Sequence, residues 1–473
     1  RRFLHRCGLC QHPAYQLAST GTYQPHFGLR FLPILIPKNR YYQNEDLYNK
    51  IEKGLEYWHE RNPWCHNWWY NQIAEPQALG VLLIQMRTGK KQLPHELENK
   101  LLERIKKDGG NPAKWTGANR TDIALHWIYR ACLSKDAETL EFALENVYNP
   151  VIYTTKEGFQ HDNSNFQHGQ QLYIGGYGDE ILKGVTQVAM YTRGTRFAMP
   201  QERLNLISKF MRETYYPTIR GKYMLFDVMG RSVSRPGVPD KSHTALFAQR
   251  MEILDTAHAQ EFKEIISRLK EEKPADYAIK PQHTHYFRGD YSLHVRPEYT
   301  FDVRLVSNRT ARCEYGNGEN LKTYFMSDGC TNIVQRGNEY EGIFPSWNWS
   351  RIPGTTAPQL KEIPLAASDW QTPGTSDFAG GCPTVYTELR PTATWIITKT
   401  YRLEHTKPGF SLMKKSYAWE QTLLLQLLKK YIPRSTNALH RLNRHLFLFL
   451  ERCNPWNEEK NIIKILNGYG MMA

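Results

Sequence analysis

KPADYAIKPQH, residues 273–283, separates two kinds of hydrophobic pattern, and its reading decides the fold. Upstream, LYNKIEKGLEYW (47–58), ALGVLLIQM (78–86), IALHWIYRACL (123–133), ETLEFALENVY (138–148), ILKGVTQVAMY (181–191), RLNLISKFMRETYY (203–216) and EFKEIISRLKEE (261–272) carry apolar residues at three- and four-residue steps. That period predicts amphipathic helices separated by Gly- and Pro-bearing loops. Downstream the period drops to two: YTFDVRLVS (299–307) places Tyr299, Phe301, Val303 and Leu305 on one face, and TATWIITKTYRLEH (392–405) reads as a further strand. The expected plan is a helical domain over 41–275, a linker over 276–283, and an antiparallel β-sandwich domain over 284–416, with a cleft between the two domains.

Both ends depart from that plan. Residues 1–40 mix Cys, His and Arg without periodicity, and 417–473 turn helical and basic straight after a strand pattern, as a reading frame lost at each end would produce. At 473 residues, two or three domains are expected. The nearest candidate for a membrane span, FLPILIP at 31–37, is too short to cross a bilayer. No apolar leader precedes it, so location is not readable from the N-terminus. Cys7 and Cys10 form one CxxC and the other six cysteines are scattered, which gives neither a disulfide framework nor a zinc site.

The formal charge of +14 favours a polyanionic partner. No nucleic-acid motif and no block of five or six consecutive Lys or Arg is present, and an aromatic content of 12% suits stacking on sugar faces. Basic and aromatic together point to an acidic carbohydrate, with no role expected for nucleic acid or membrane.

Four polar, glycine-punctuated stretches are candidates for chemistry: WTGANRTD (115–122), HDNSNFQHGQQLYIGGYG (161–178), DVMGRSVSRPG (227–237) and CEYGNGENLK (313–322). Each has an ordinary structural reading. Asn119 with Asp122 suits a helix start, His168 a hydrogen-bonded loop, Tyr177 a wedge between layers, Arg231 and Arg235 a solvated face, and Glu314 with Asn317 a β-turn. Together they suit the elimination of a 4-linked uronic acid. That reaction needs its carboxylate neutralised, a base for the C5 proton and an acid for the leaving oxygen. Amide, imidazole and guanidinium groups quiet a carboxylate, and a phenol serves as base and then acid if positive charge lowers its ordinary pKa of about 10. Glycines 175, 176 and 178 would let a polymer approach Tyr177. A glycoside hydrolase would instead need two carboxylic acids, for which Asp162, Asp179 and Glu180 are candidates. A non-catalytic binder of acidic glycans stays open beside both. No HExxH, EF-hand loop or Cys/His cluster predicts a metal or other cofactor.

NWWYNQIAEPQALGVLLIQM (67–86), TGANRTDIALH (116–126), the 161–178 stretch, GRSVSR (230–235), NGENLKTYFMSDGCTNI (317–333) and SWNWSRIPGTTAP (346–358) occur in an order that resembles the polysaccharide lyase family of hyaluronate, chondroitin AC and xanthan lyases. The resemblance is greatest to the chondroitin AC lyases and runs over about 41–416. It implies an incomplete α/α toroid followed by a β-sandwich, truncated here, and a monomeric, secreted or periplasmic enzyme that cleaves chondroitin sulfate or hyaluronan by β-elimination. It assigns catalysis to Asn119, His168, Tyr177 (rather than Tyr173), Arg231 and Glu314. It assigns substrate binding to Trp68, Trp69, Arg235, Asn317 and Trp370. Some relatives carry acids on both sides of the Trp before the IPG turn; here Asn348 and Ser350 stand there, so calcium is not expected.

Overall fold

The computed structural model describes residues 42–87, 89, 91–355 and 362–364. The expected strand at 392–405, the basic helical tail at 417–473, the segment 1–40 and Trp370 lie outside the described residues. The chain divides into two compact units, one of residues 1–151 with 180–200 and one of 152–179 with 201–473.

In the first unit, helix α1 (Glu45–Arg61) starts where the Asn44 side chain accepts from Leu47 N at 2.8 Å. Its first turn carries Glu45 and Asp46 and its last turn His59 and Arg61, matching the helix dipole. It ends at Asn62, whose φ of +44° is the left-handed stop that Asn tolerates. A π-helical turn at Tyr70–Ala74 leads into α2 (Glu75–Arg87), followed by α3 (His95–Asp108), α4 (Gly117–Ser134) and α5 (Ala137–Tyr148). Leu55 and Trp58 of α1, Leu79, Leu83 and Met86 of α2, and Leu97, Leu101 and Ile105 of α3 form one buried cluster. Each fully buried Leu contributes roughly 1.5–3 kcal/mol. The apolar three- and four-residue steps of the sequence are these buried stripes.

The second unit opens with a small antiparallel sheet that periodicity does not reveal: β1 (Gly158–Phe159), β2 (Asn165–Gln167) and β3 (Gln171–Leu172). Helix α6 (Tyr177–Thr192) begins in this unit and continues into residues of the first. Helix α7 (Gln201–Phe210), the ribbon β4 (Ile219–Arg220) and β5 (Tyr223–Met224), and helices α8 (Ala245–Leu254) and α9 (Ala259–Leu269) follow. After the linker, β6 (Gln282–Tyr286), β7 (Tyr291–Val295), β8 (Thr300–Arg304) and β9 (Cys330–Val334) form a sheet in sequential antiparallel order. Its register pairs Tyr286 with Tyr291, Phe301 with His294, and Arg304 with Cys330.

A helical region followed by an antiparallel sheet is therefore the observed order. The sheet differs from a half-solvated strand pattern in one respect: β7, β8 and β9 are buried at every position. Phe301 and Val303 fill one side, and Asp302 and Arg304, 0% and 1% exposed, are buried on the other. Asp302 is accommodated because it accepts from Tyr291 Oη at 2.8 Å and from Asn332 N and Nδ2 at 2.9 and 2.8 Å.

Candidate active site

The second unit assembles His168, Tyr173, Tyr177, Arg231, Arg235, Glu314 and Glu319 into one network. The three-residue turn 168–170 joins β2 to β3, and both His168 (φ +54°) and Gly169 (φ +76°) are left-handed. A left-handed histidine costs conformational energy that its surroundings must offset. The Glu157 carboxylate accepts from Gly169 N, and Ala311 N donates to Gln170 O at 3.0 Å, so the turn is tied on two sides. Its ring meets Glu314, with His168 Nδ1 2.5 Å from Glu314 Oε1. A carboxylate only accepts, so Nδ1 is the donor in this pair.

Tyr177 is the first residue of α6, and Tyr173 lies four residues before it. The Tyr177 ring packs edge-on against His168 at 4.6 Å and against Tyr173 at 4.9 Å. The two phenols differ in access. Tyr173 is 0% exposed, and its oxygen accepts from Arg231 N at 3.1 Å while interacting with Glu314; burial and that carboxylate push its pKa well up. Tyr177 is half-buried. Burial raises its phenol too and outweighs the Arg231 guanidinium, which opposes the shift and donates from Nη2 to Tyr177 Oη at 3.2 Å, so the expected lowering of this phenol by positive charge is replaced by a net rise.

Arg231 sits in the 3₁₀ turn Gly230–Ser234. The turn is possible because residue 230 is glycine: its φ is +54°, and a Cβ there would lie 2.2 Å from Tyr173 Cζ. Arg231 Nη1 bonds Glu314 Oε1, and Arg231 Nε reaches Glu319 Oε2 at 2.9 Å. Arg235 grips the same Glu319 with Nε at 2.8 Å and Nη2 at 3.0 Å. Glu314 is 0% exposed. Burial alone would raise its pKa, but the hydrogen bond from His168 and the charge of Arg231 outweigh burial and hold it below the usual carboxylate value.

Asn317 lies at the exposed tip of the turn between the two glutamates, left-handed at φ +54°. Asn119, in the first unit, is half-buried in the first turn of α4, one residue past Ala118. The residue preceding that helix is Thr116, so Asn119 is not its cap. Trp68 of the same unit stacks on Trp115, with ring centroids 4.2 Å apart, and Trp69 meets Tyr70 edge-on at 5.2 Å.

Sequence reasoning missed Glu319. Its signal was a second carboxylate in the glycine-rich stretch that held Glu314, opposite two arginines four apart. The expectation that glycines 175 and 176 leave room for a polymer is replaced: Met224 and Met229 fill the space beside Gly175, and Tyr173 and Ser232 that beside Gly176. The acids proposed for hydrolysis are engaged elsewhere. Asp162 accepts from Ser164 N and Oγ at 3.0 and 2.7 Å and from Arg288 N at 2.6 Å. Asp179 accepts from Tyr215 Oη at 2.6 Å and pairs with Lys241 Nζ at 2.6 Å, while Glu180 pairs with Lys183. Beside Trp349, Asn348 Oδ1 accepts from Ser350 N and Oγ at 3.1 and 2.6 Å, a neutral pair turned on itself. Among the described residues no group of three or more His, Cys, Asp or Glu is placed to hold a metal ion, and no helix is long and apolar enough to cross a membrane.

Over 345 residues the chain is 45% identical to the chondroitinase-AC of Pedobacter heparinus, a match covering 72% of this chain and 49% of that protein. It is 26% identical over 331 residues to a hyaluronate lyase of Thermasporomyces composti, covering 62% of this chain and 42% of that one. A solved chondroitinase AC lyase, from a study of its enzyme–oligosaccharide complexes, superposes with a TM-score of 0.72 at 43% identity, covering 74% of this chain and 52% of that one. The chain thus spans about half the length of these relatives. Residues 32–271 match the N-terminal alpha-helical domain of polysaccharide lyase family 8, and residues 281–384 match its super-sandwich domain. The chain belongs to polysaccharide lyase family 8.

Proposed function

We propose that this protein cleaves chondroitin sulfate, and hyaluronan as a second substrate, by β-elimination at the uronic acid. The observation that carries the reading is the half-buried phenol of Tyr177, which accepts from Arg231 at 3.2 Å beside a histidine held 2.5 Å from Glu314. Asn119 and His168 take the role of quieting the C6 carboxylate, which acidifies the C5 proton. Tyr177, as phenolate beside the Arg231 guanidinium, removes that proton. The electron pair forms the C4–C5 double bond, the C4–O bond breaks, and the new Tyr177 phenol protonates the departing oxygen. No water is consumed. Trp68 and Trp69 orient the polymer by stacking, and Arg235, Asn317 and Trp370 complete the substrate contacts.

The similarity to the Pedobacter heparinus chondroitinase-AC supports this substrate class, and the similarity to a hyaluronate lyase supports the second. An extracellular or periplasmic location follows from a polymeric substrate. The engaged state of Asp162, Asp179 and Glu180 disfavours hydrolysis. Mass spectrometry of the digest tests the reading: elimination gives fragments whose masses sum to that of the parent chain, whereas hydrolysis adds one water per cut.

A further inference from the structure

We propose that Glu319 is a positioning residue of this site: it fixes the Arg231 and Arg235 guanidiniums as one rigid pair, so that Arg231 can present its remaining edge to Tyr177. Its consequence for turnover rests on the lyase reading above. Each nitrogen of the Arg231 guanidinium has a different partner: Nε has Glu319, Nη1 has Glu314 and Nη2 has Tyr177. The guanidinium is planar, so holding Nε and Nη1 sets the direction in which Nη2 points. Of those two anchors, Glu319 is the one that also binds Arg235, through Nε and Nη2 at 2.8 and 3.0 Å.

Glu319 is itself fixed before any ligand arrives. Its backbone N donates to Gly316 O at 2.9 Å, and Asn320 Nδ2 donates to Glu314 O at 2.6 Å. Asn317 and Gly318, at φ +54° and +73°, complete a tight turn that brings both glutamates to the arginines. The Glu319 side chain is 2% exposed. Water therefore screens its charge little. Tyr177 is faced by His168 and Tyr173 through ring contacts and by Arg231, Arg235 and Glu314 through charge. Two guanidiniums and two carboxylates balance. Neutralising Glu319 leaves a net positive charge beside the phenol.

The test uses the full chain with ¹³Cζ-labelled tyrosine, with Tyr177→Phe assigning the Tyr177 resonance. Glu319→Gln is expected to move the Tyr177 titration down by about one pH unit, whereas Glu319→Asp, which keeps the charge and shortens the reach, leaves it near the parent. In turnover both variants are expected to lower kcat about 10- to 100-fold with a smaller change in KM. A role confined to folding would lower stability and leave the Tyr177 titration of the folded fraction unmoved, which overturns the proposal. If Glu319→Gln fails to fold, a parent-level kcat in Glu319→Asp overturns it and a fall in kcat at near-parent KM supports it. Should the parent chain release no unsaturated product, the lyase reading fails, and the titration still decides Glu319.

Discussion

His168 Nδ1 stands 2.5 Å from Glu314 Oε1, although 146 residues separate the two in sequence. The contact orients the histidine ring, and Glu314 simultaneously takes Arg231 Nη1. Replacing Glu314 by Gln removes the anion that both groups share. Steady-state assays on chondroitin sulfate should show kcat about 100-fold lower. A kcat within threefold of the parent would detach Glu314 from the chemistry.

The same carboxyl predicts an acid limb in stability. Burial opposes its ionisation, yet His168 and Arg231 hold its pKa below the usual value of about 4.5. A depressed pKa contributes stability above the unfolded-state value and loses it as pH falls through the folded-state value. Thermal melts of the parent should therefore fall more steeply below about pH 4.5 than those of Glu314→Gln. Parallel curves would show that the carboxylate is not paired as described.

Tyr177 and Tyr173 should separate cleanly. Tyr177→Phe removes the proposed proton carrier and is expected to abolish turnover while sparing substrate binding. Tyr173→Phe leaves Arg231 N without the phenol oxygen that accepts from it at 3.1 Å and should cost about 1–3 kcal/mol of stability, read by urea unfolding, with residual turnover. Wild-type turnover in Tyr177→Phe would show the proton-carrier assignment to be wrong.

Gly230→Ala tests how the arginine turn is built. The new Cβ would lie 2.2 Å from Tyr173 Cζ at a φ of +54°, so the ring or the turn must move. A loss of at least about 2 kcal/mol is expected. An unchanged melting temperature would show that the turn is loose enough to absorb a methyl group.

The aromatic pair in the first unit is expected to act on binding. Trp69→Ala should raise KM more than it lowers kcat. Trp68→Ala, which also removes the stack on Trp115 at 4.2 Å, should in addition lower stability by about 1 kcal/mol. A pure kcat effect in Trp69→Ala would point to chemistry rather than polymer orientation.

How far the sequence could be read depends on the range over which each signal acts. The switch from helical to alternating pattern at 273–283 was legible because each period is local. Strands β1 to β3 were not, since two or three residues carry no period. Alternation in YTFDVRLVS suggested one covered face, whereas Asp302 and Arg304 are buried as well, a property set by distant partners. Within the site, residue types marked the stretches and the family resemblance singled out His168, Tyr177, Arg231 and Glu314, which the fold brings together. Glu319 escaped notice because its meaning lies in two arginines more than eighty residues earlier. The left-handed backbone at His168 escaped for a related reason, as the Glu157 contact that accompanies it is tertiary.

The most direct test of the central claim is to incubate the protein with chondroitin sulfate and record ultraviolet absorbance and reducing ends on the same samples. β-Elimination predicts that absorbance from the conjugated C4–C5 double bond rises in step with the reducing ends. Reducing ends without absorbance would mean hydrolysis, and substrate binding with neither signal would mean a non-catalytic glycan binder; either result contradicts the account.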